Sequence, residues 1–249
     1  MLLLKLLLTI LYSTEIIKNN FIITARHISL NAKKINYHSK DYKVINIPYV
    51  WFLTDSIKTK NPLDISRKLP FNSGIIIRSY DIKNKEKIIK NIINLKKRKV
   101  HTVLVSGRHK MHSNVDGAHL PSWLNSSFLI NKKLISMSAH GARDIRKSIN
   151  IRADIIFISP VFHTTSHPEE KSLGVIKLGL MAKLFKKPIV ALGGINNNNI
   201  SRLKGLPIIG CAGIDVFNTL WFKKRQIVCH NTCCIIATLF FKYSFLSFF

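Results

Sequence analysis

The sequence has 249 residues, of which 47% are hydrophobic and 20% charged, a balance typical of a folded globular protein. Lys and Arg together number 39 against 12 Asp and Glu, so the formal net charge is +27. Such a charge favours anionic ligands, phosphates among them. Nucleic acid, anionic lipid and phosphorylated metabolites all fit this charge, but the basic residues are spread along the chain without a nucleic-acid-binding motif, so we do not expect nucleic acid as a partner.

The two ends of the chain differ from its centre. Residues 1–12 are an apolar run too short to span a bilayer, and residues 13–47 are rich in Lys, Asn and Ile without a clear period. We interpret residues 1–47 as an N-terminal appendage. Residues 223–249 begin with a basic triplet and continue as an apolar tail, for which we favour packing on the domain or disorder over a membrane anchor.

Cysteine usage indicates the compartment. The chain has four cysteines, and Cys229, Cys233 and Cys234 lie close together near the C-terminus. They lack the two separated pairs that a structural zinc site requires, and nothing else suggests a disulfide-stapled secreted domain. We therefore predict no metal site from these residues and a cytoplasmic protein.

Short apolar runs alternate with helical segments through the central part of the chain. Strands are predicted over 48–55, 74–78, 101–106, 116–120, 134–138, 154–158, 188–192 and 208–216. Helices are predicted over 63–69, 81–99, 141–149 and 174–185, and we assign the lysines of the 81–99 helix to solvent. Nearly unbroken apolar strands are typical of a parallel sheet covered on both faces.

Eight such strands predict an α/β fold, a single-domain (β/α)8 TIM barrel over residues 48–222. The alternative is an open doubly wound sheet, but no Gly-x-Gly-x-x-Gly follows the first strand. In a barrel the carboxyl ends of the strands surround one mouth, where ligands bind. Arg78 emerges there from three isoleucines and needs an anionic partner. The turn at Gly193 and Gly194 can offer backbone N–H groups to a phosphate.

Several ordered motifs resemble the thiamine phosphate synthase/TenI family of barrels. They are Asp116-Gly-Ala-His-Leu, Ser138-Ala-His140, Ser159-Pro-Val-Phe-His-Thr-Thr-Ser-His167 and Pro188-Ile-Val-Ala-Leu-Gly-Gly-Ile195. The resemblance covers about residues 49–218. It implies a transferase of thiamine biosynthesis, which couples an aminopyrimidine methyl diphosphate to a thiazole phosphate and releases diphosphate.

The resemblance also implies roles for individual residues. Catalytic roles fall to Ser138, His140 and His167. The diphosphate would be bound by Arg78, the thiazole-side ligand by Thr164 and Ser166, and the thiazole phosphate by Gly193, Gly194 and the amides near Phe217 and Asn218. Position at the strand ends adds Ser106, Arg108 and His119 as substrate-binding candidates.

The sequence departs from the family where magnesium is expected. The family's Asn-Asp after strand three is Ser106-Gly107 here, and its Gly-Gln-Glu-Asp after strand four is replaced by residues 121–124. Mg2+ is thus implied by the resemblance while its usual ligands are absent. We favour a divergent synthase. The alternatives are a TenI-like thiazole tautomerase that uses His140 without a metal, and a phosphate-ligand-binding barrel without turnover.

Overall fold

The computed structural model describes residues 20–36, 47–78, 82–99, 101–106, 114–124, 134–164, 169–185 and 187–217. Eight parallel strands close a barrel in which each strand pairs with its neighbours in sequence, and the first pairs with the last. The strands are β1 (Val50–Leu53), β2 (Gly74–Ile77), β3 (Thr102–Ser106), β4 (Gly117–Leu120), β5 (Leu134–Ala139), β6 (Ile155–Ile158), β7 (Ile189–Ala191) and β8 (Gly210–Gly213). The predicted (β/α)8 barrel is confirmed.

Helices lie between most of these strands and before the first. They are α1 (Asn20–Asn36), α2 (Pro62–Lys68), α3 (Ile82–Lys99), α4 (Ala142–Asn150), α5 (Gly174–Leu184) and a 3-10 helix (Ile200–Leu203). The helices α2 to α5 match the predicted segments to within one or two residues. The Asn61 side chain caps α2 by accepting from the Asp64 N–H, and Pro62 occupies the first turn, where its missing N–H is harmless.

The strands bury one face in the barrel interior and the other beneath the helices. Trp51, Leu53, Ile76, Leu104 and Phe157 belong to the interior cluster, and Trp51 meets Phe157 edge to face at a centroid distance of 5.2 Å. Successive side chains of a strand alternate between faces. The residues two positions beyond Leu53, Ile76 and Leu104 therefore continue the interior face into the mouth.

One helix was not predicted from the sequence. In α1 the residues Phe21, Ala25 and Ile28 are buried at the i, i+4 and i+7 positions, and the Phe21 ring packs edge-on against Phe217. This stripe is short, and Asn and Lys residues follow it in the second half of the helix, which hides its period. The described part of the 1–47 segment thus packs on the barrel, and the division into appendage, barrel and tail remains a proposal.

The outer segments on which the membrane question depends, residues 1–12 and 223–249, lie outside the described residues. Within the described ranges, every helix is too short or too polar to cross a bilayer.

Candidate functional site

The ends of β1 and β2 hold one arginine in a defined position. The Thr54 hydroxyl accepts a hydrogen bond from the Arg78 N–H and donates one to the Arg78 carbonyl, each at 2.9 Å. The Arg78 Nη2 lies 3.3 Å from Oδ2 of Asp55. The other oxygen of that carboxylate accepts from the N–H groups of Ile57 and Lys58, at 3.0 and 2.9 Å. Backbone and side chain of Arg78 are therefore both anchored by β1.

The charge state of Asp55 follows from these contacts. Burial by itself raises the pKa of Asp55, but the hydrogen bonds from Lys58 and Ile57 and the positive charges of Arg78 and Lys58 outweigh it. The net result is a pKa below the ordinary value, so the carboxylate is ionised at neutral pH. It occupies only one edge of the guanidinium. The Arg78 Nε is buried and has no hydrogen-bond partner among the described residues.

A pocket of about 330 Å³ opens beside this arginine. Thr54, Asp55 and Arg78 form its wall at the strand ends. Its other sides come from α2 with the residues before it and from α3, and they include the cations Lys60 and Lys87. A volume of this order lies within the range of about 300–1,000 Å³ found for small-molecule sites. The unpartnered Nε thus belongs to a residue that lines a space large enough for a ligand.

Strands β4 and β5 carry a buried imidazole between two hydroxyls. His119 is 2% exposed, and its Nδ1 and Nε2 lie 2.8 Å from Ser136 Oγ and 2.9 Å from Ser138 Oγ. The ring also packs edge-on against Phe157. Burial, and in second place the positive charge of Arg78, lower the pKa of His119 to about 3. The ring is therefore neutral at physiological pH.

A neutral imidazole has one donor and one acceptor, so it orders the two hydroxyls. Ser136 Oγ also donates to the Ala118 carbonyl at 3.4 Å. In that arrangement Nδ1 carries the proton and donates to Ser136, and Nε2 accepts from Ser138. His119 consequently acts on the mouth through Ser138, which is half-buried, and holds the orientation of its hydroxyl.

The turn after β7 is packed tightly against the loop after β6. Gly193 and Gly194 have φ values of +93° and +67°, in the region that favours glycine. A Cβ on Gly194 would lie 2.3 Å from the His163 carbonyl oxygen, and one on Gly193 would lie 2.8 Å from Cα of Pro160. Neither glycine N–H donates to another described residue, whereas the Gly193 carbonyl accepts from Phe162 at 3.1 Å. The turn therefore holds two backbone donors available to an anion.

A histidine and a glutamate meet at the rim of the barrel. His140 Nδ1 lies 3.6 Å from Glu170 Oε2, and the two side chains are 41% and 39% exposed. The His140 N–H donates to Asp144 at 2.8 Å, which fixes the backbone at the start of α4. This pair provides an acid/base group beside a carboxylate, outside the buried interior.

Comparison with known proteins decides the family. The sequence model of the family described as thiamine monophosphate synthase (TMP-TENI) matches residues 73–218, from the start of β2 to beyond β8. The chain belongs to this family. Membership puts it in thiamine biosynthesis, within a family of transferases that bind phosphorylated pyrimidine and thiazole substrates.

Individual relatives agree with this placement. "Putative thiamine-phosphate synthase 2" of Aquifex aeolicus is 28% identical over 70% of this chain and 99% of its own length. A thiamine-phosphate synthase of Prochlorococcus marinus subsp. pastoris is 26% identical over 71% of this chain and 53% of its own length. A thiamine phosphate pyrophosphorylase from Pyrococcus furiosus shares the fold, with a TM-score of 0.59 at 19% identity over 70% of this chain and 92% of that chain.

The structure brings part of the predicted site together. Arg78 directly follows β2 and Ser106 ends β3, and the two lie at the same level because Ile77 pairs with Val105. Ser138 lies above His119, and the glycine turn faces the loop that carries Thr164. The predicted residues Arg108, Ser166, His167 and Asn218 lie outside the described residues.

Two predicted residues have a different setting from the one the sequence suggested. His119 is buried beneath the mouth and contacts Ser138, and its substrate-binding role stays a prediction. The Phe217 ring packs against Phe21 and Phe52, and its N–H donates to the Ile214 carbonyl at 3.3 Å. Because the Phe217 N–H is already bonded, phosphate binding in this region is proposed for the neighbouring backbone amides and not for Phe217 itself.

The residues present do not fit a magnesium ion. After β4 the chain continues as Pro121-Ser-Trp-Leu124, which offers no carboxylate, and Ser106 ends β3. Within the described ranges, no three His, Cys, Asp or Glu side chains form a group able to hold a metal. The Ser106 carbonyl instead accepts from the ammonium of Lys85 at 2.6 Å. A positive charge at that place opposes a second cation.

Sequence reasoning missed several of these residues. The assignment of the α3 lysines to solvent was wrong for Lys85, which is 6% exposed. Its position four residues before the buried Ile89 is the signal that could have found it. Ser136 could have been found from its spacing of two to Ser138, which places both on one face of β5. Glu170 carried no local signal, since its contact with His140 depends on a loop.

Proposed function

We propose that this chain couples an aminopyrimidine methyl diphosphate to a thiazole phosphate. The bond between the pyrimidine methylene carbon and the diphosphate oxygen breaks, and the diphosphate leaves with the electron pair. The thiazole nitrogen supplies the pair for the new carbon–nitrogen bond, which gives thiamine phosphate. Family membership supports this reaction class. The observation that carries it for this chain is Arg78, which has a buried Nε without a hydrogen-bond partner among the described residues and lines a pocket between the ends of β1 and β2 and the helices α2 and α3.

The two sides of the mouth suit the two anions. Arg78 binds the leaving diphosphate, whose charge grows as the carbon–oxygen bond breaks, so the interaction strengthens toward the transition state. The N–H groups of Gly193 and Gly194 hold the thiazole monophosphate. Ser138, oriented by His119, lies between them and contacts the pyrimidine part of the substrate. Positioning the two reactants in one mouth lowers the entropic barrier to coupling.

An assay with both substrates tests the proposal. Purified protein is supplied with the pyrimidine diphosphate and thiazole phosphate, and thiamine phosphate and released diphosphate are measured together. We expect both products in equal amounts, and a loss of about 100-fold or more in kcat/KM for Arg78→Gln because a charge-assisted contact to the leaving group is removed. Arg146→Gln, an exposed arginine on α4, is the matched control. Absence of product with the unaltered chain would overturn the proposal.

The pair of His140 and Glu170 supports a second candidate, thiazole tautomerisation. His140 would take a proton from the thiazole and return it at another position, while the Glu170 carboxylate stabilises the imidazolium that forms in between. Interconversion of thiazole tautomers that His140→Ala abolishes, without coupling, would favour this function. Binding of both phosphates without either conversion would favour a barrel that binds and does not turn over.

A further inference from the structure

Helix α3 has a lysine at each end of its apolar stripe, one buried and one partly exposed. Lys85, Ile89, Ile92 and Lys96 follow one another at i, i+4, i+7 and i+11, so all four face the barrel. Lys85 is 6% exposed, and the two isoleucines are 0% and 1% exposed. The side chain of Lys96 is 27% exposed. One ammonium lies at the amino end of the helix, near the mouth, and the other lies toward its carboxyl end.

The two lysines differ in what they contact. Lys96 Nζ lies 2.5 Å from Oδ1 of Asp116, so its charge is paired with a carboxylate. Lys85 Nζ donates to the carbonyl oxygen of Ser106 at 2.6 Å, and within the described residues it has no ion pair. An ammonium has three donors, and a carbonyl carries no net charge. Among the described residues, Lys85 is therefore a buried cation with one hydrogen-bond acceptor and no counter-charge within ion-pair distance.

Burial of this kind is unfavourable without a compensating anion. Burial lowers the pKa of Lys85, an effect that the negative charge of Glu86 only partly opposes. Glu86 is the next residue in the helix, and the described ion pairs do not include one between Glu86 and Lys85. A bound anion would supply a counter-charge and hydrogen-bond acceptors to the Lys85 ammonium, and would thereby favour its charged form.

The location of this ammonium links it to the site. Ser106 ends β3 and Arg78 directly follows β2, and Ile77 pairs with Val105, so the two residues lie side by side across strands about 4.8 Å apart. Asp55 contacts Arg78 from β1, on the opposite side. Arg78 and Lys85 are therefore the cations that contact the ends of β2 and β3, and Asp55 is the described carboxylate that contacts Arg78. Lys60 and Lys87 also line the pocket beside Arg78. The buried Arg78 Nε and the remaining Lys85 donors have no acceptor among the described residues.

We propose that Lys85 and Arg78 form a two-cation site that binds a diphosphate group without a divalent metal. The inference rests on the proposed function for the identity of the diphosphate, while the anion-binding chemistry stands on the contacts alone. Lys85 supplies positive charge at the end of β3, where the family's metal ligand is replaced by Ser106 and its neighbour. Arg78 offers a flat donor group from the end of β2, and the ammonium offers a point charge from the helix side.

Calorimetry with inorganic pyrophosphate tests this site. The full chain is titrated in EDTA at about 150 mM salt, where distant surface charges are largely screened. We expect measurable binding to the unaltered protein, and a dissociation constant at least about tenfold weaker for Lys85→Met, as loss of a charge-assisted hydrogen bond requires. Lys90→Met, which removes an exposed lysine from the same helix, is the matched control and should bind within about twofold of the unaltered chain.

Three outcomes would overturn the inference: no binding in EDTA, unchanged affinity in Lys85→Met, or equal weakening in Lys90→Met. If Lys85→Met does not fold, differential lysine acetylation of the unaltered chain decides. Protection of Lys85 by pyrophosphate supports the site, and equal labelling opposes it. The coupling assay is independent of this result. If pyrophosphate binds without metal but no thiamine phosphate forms, the proposed function is contradicted and the two-cation site is not. If thiamine phosphate forms but Lys85→Met binds pyrophosphate with unchanged affinity, the two-cation site is contradicted and the proposed function is not.

Discussion

The two sides of the barrel mouth present different kinds of group to the anions that we propose they bind. On the β6–β7 side the groups available to a ligand are backbone N–H donors, held by a glycine turn packed against the preceding loop. On the β2–β3 side they are the side-chain cations Arg78 and Lys85. The sequence keeps the family motif on the first side and departs from it on the second. A site made of backbone N–H groups depends on close packing of the turn. A site made of charged side chains can exchange one cationic residue for another while the fold stays the same.

The largest effect is expected from Gly194→Ala. The new Cβ would lie 2.3 Å from the His163 carbonyl oxygen, and the backbone has φ +67°. Strain and displacement together should cost about 3 kcal/mol or more of unfolding free energy. Thiazole phosphate binding should also be lost. Denaturant unfolding and calorimetry measure the two effects.

Gly205→Ala is the matched control for that change. Gly205 has φ +82°, but nothing lies within 4 Å of its Cβ position, so only backbone strain of about 1–2 kcal/mol applies. Thiazole phosphate binding should be retained. Equal losses in the two variants would show that close packing against the β6 loop does not matter, and would break the distinction between the two sides.

A smaller effect is expected where a side chain positions the cationic side. Thr54→Val keeps the shape of a 2% exposed side chain but removes the hydroxyl that bonds both the N–H and the carbonyl of Arg78. We expect a loss of about 2 kcal/mol in stability and several-fold weaker pyrophosphate binding, with thiazole phosphate binding unchanged. Thr54→Ser should restore both properties. Weakening of both ligands alike would mean that the two sides are not independent.

The buried imidazole of His119, on β4, should make the free energy of unfolding depend on pH. The folded pKa of His119 is about 3, below the ordinary value of 6.5, so between these values the unfolded chain binds a proton that the folded chain does not. The contribution of this group to stability should therefore be complete above about pH 6.5 and fall as the pH drops toward 3, by at most about 1.4 kcal/mol per pH unit. The unfolding free energy of His119→Asn should have a shallower slope in that window. Identical slopes would contradict a buried neutral imidazole.

The barrel could be predicted from sequence because its signals are local. Apolar strands such as Gly74–Ile77 and the Gly193-Gly194 turn are each contained in a few consecutive residues. The site could be predicted only in part, since its contacts depend on register. The pairing of His119 with Ser136 across β4 and β5 buries the imidazole below Ser138, and nothing in either strand specifies that register alone. Lys85 was missed because a helical lysine usually lies in solvent, and only its spacing from Ile89 indicated otherwise.

The smallest effect is expected from a cation at the mouth that already has a partner. Lys58 Nζ lies 3.2 Å from Asp215 Oδ2, between side chains that are 25% and 54% exposed. Such a partly exposed pair contributes about 1 kcal/mol or less, so Lys58→Met should change stability by no more than that. Pyrophosphate affinity should stay within about twofold, in contrast to the Lys85→Met variant. If Lys58→Met weakened pyrophosphate as much as Lys85→Met, total charge at the mouth would explain the binding, and the buried position of Lys85 would not.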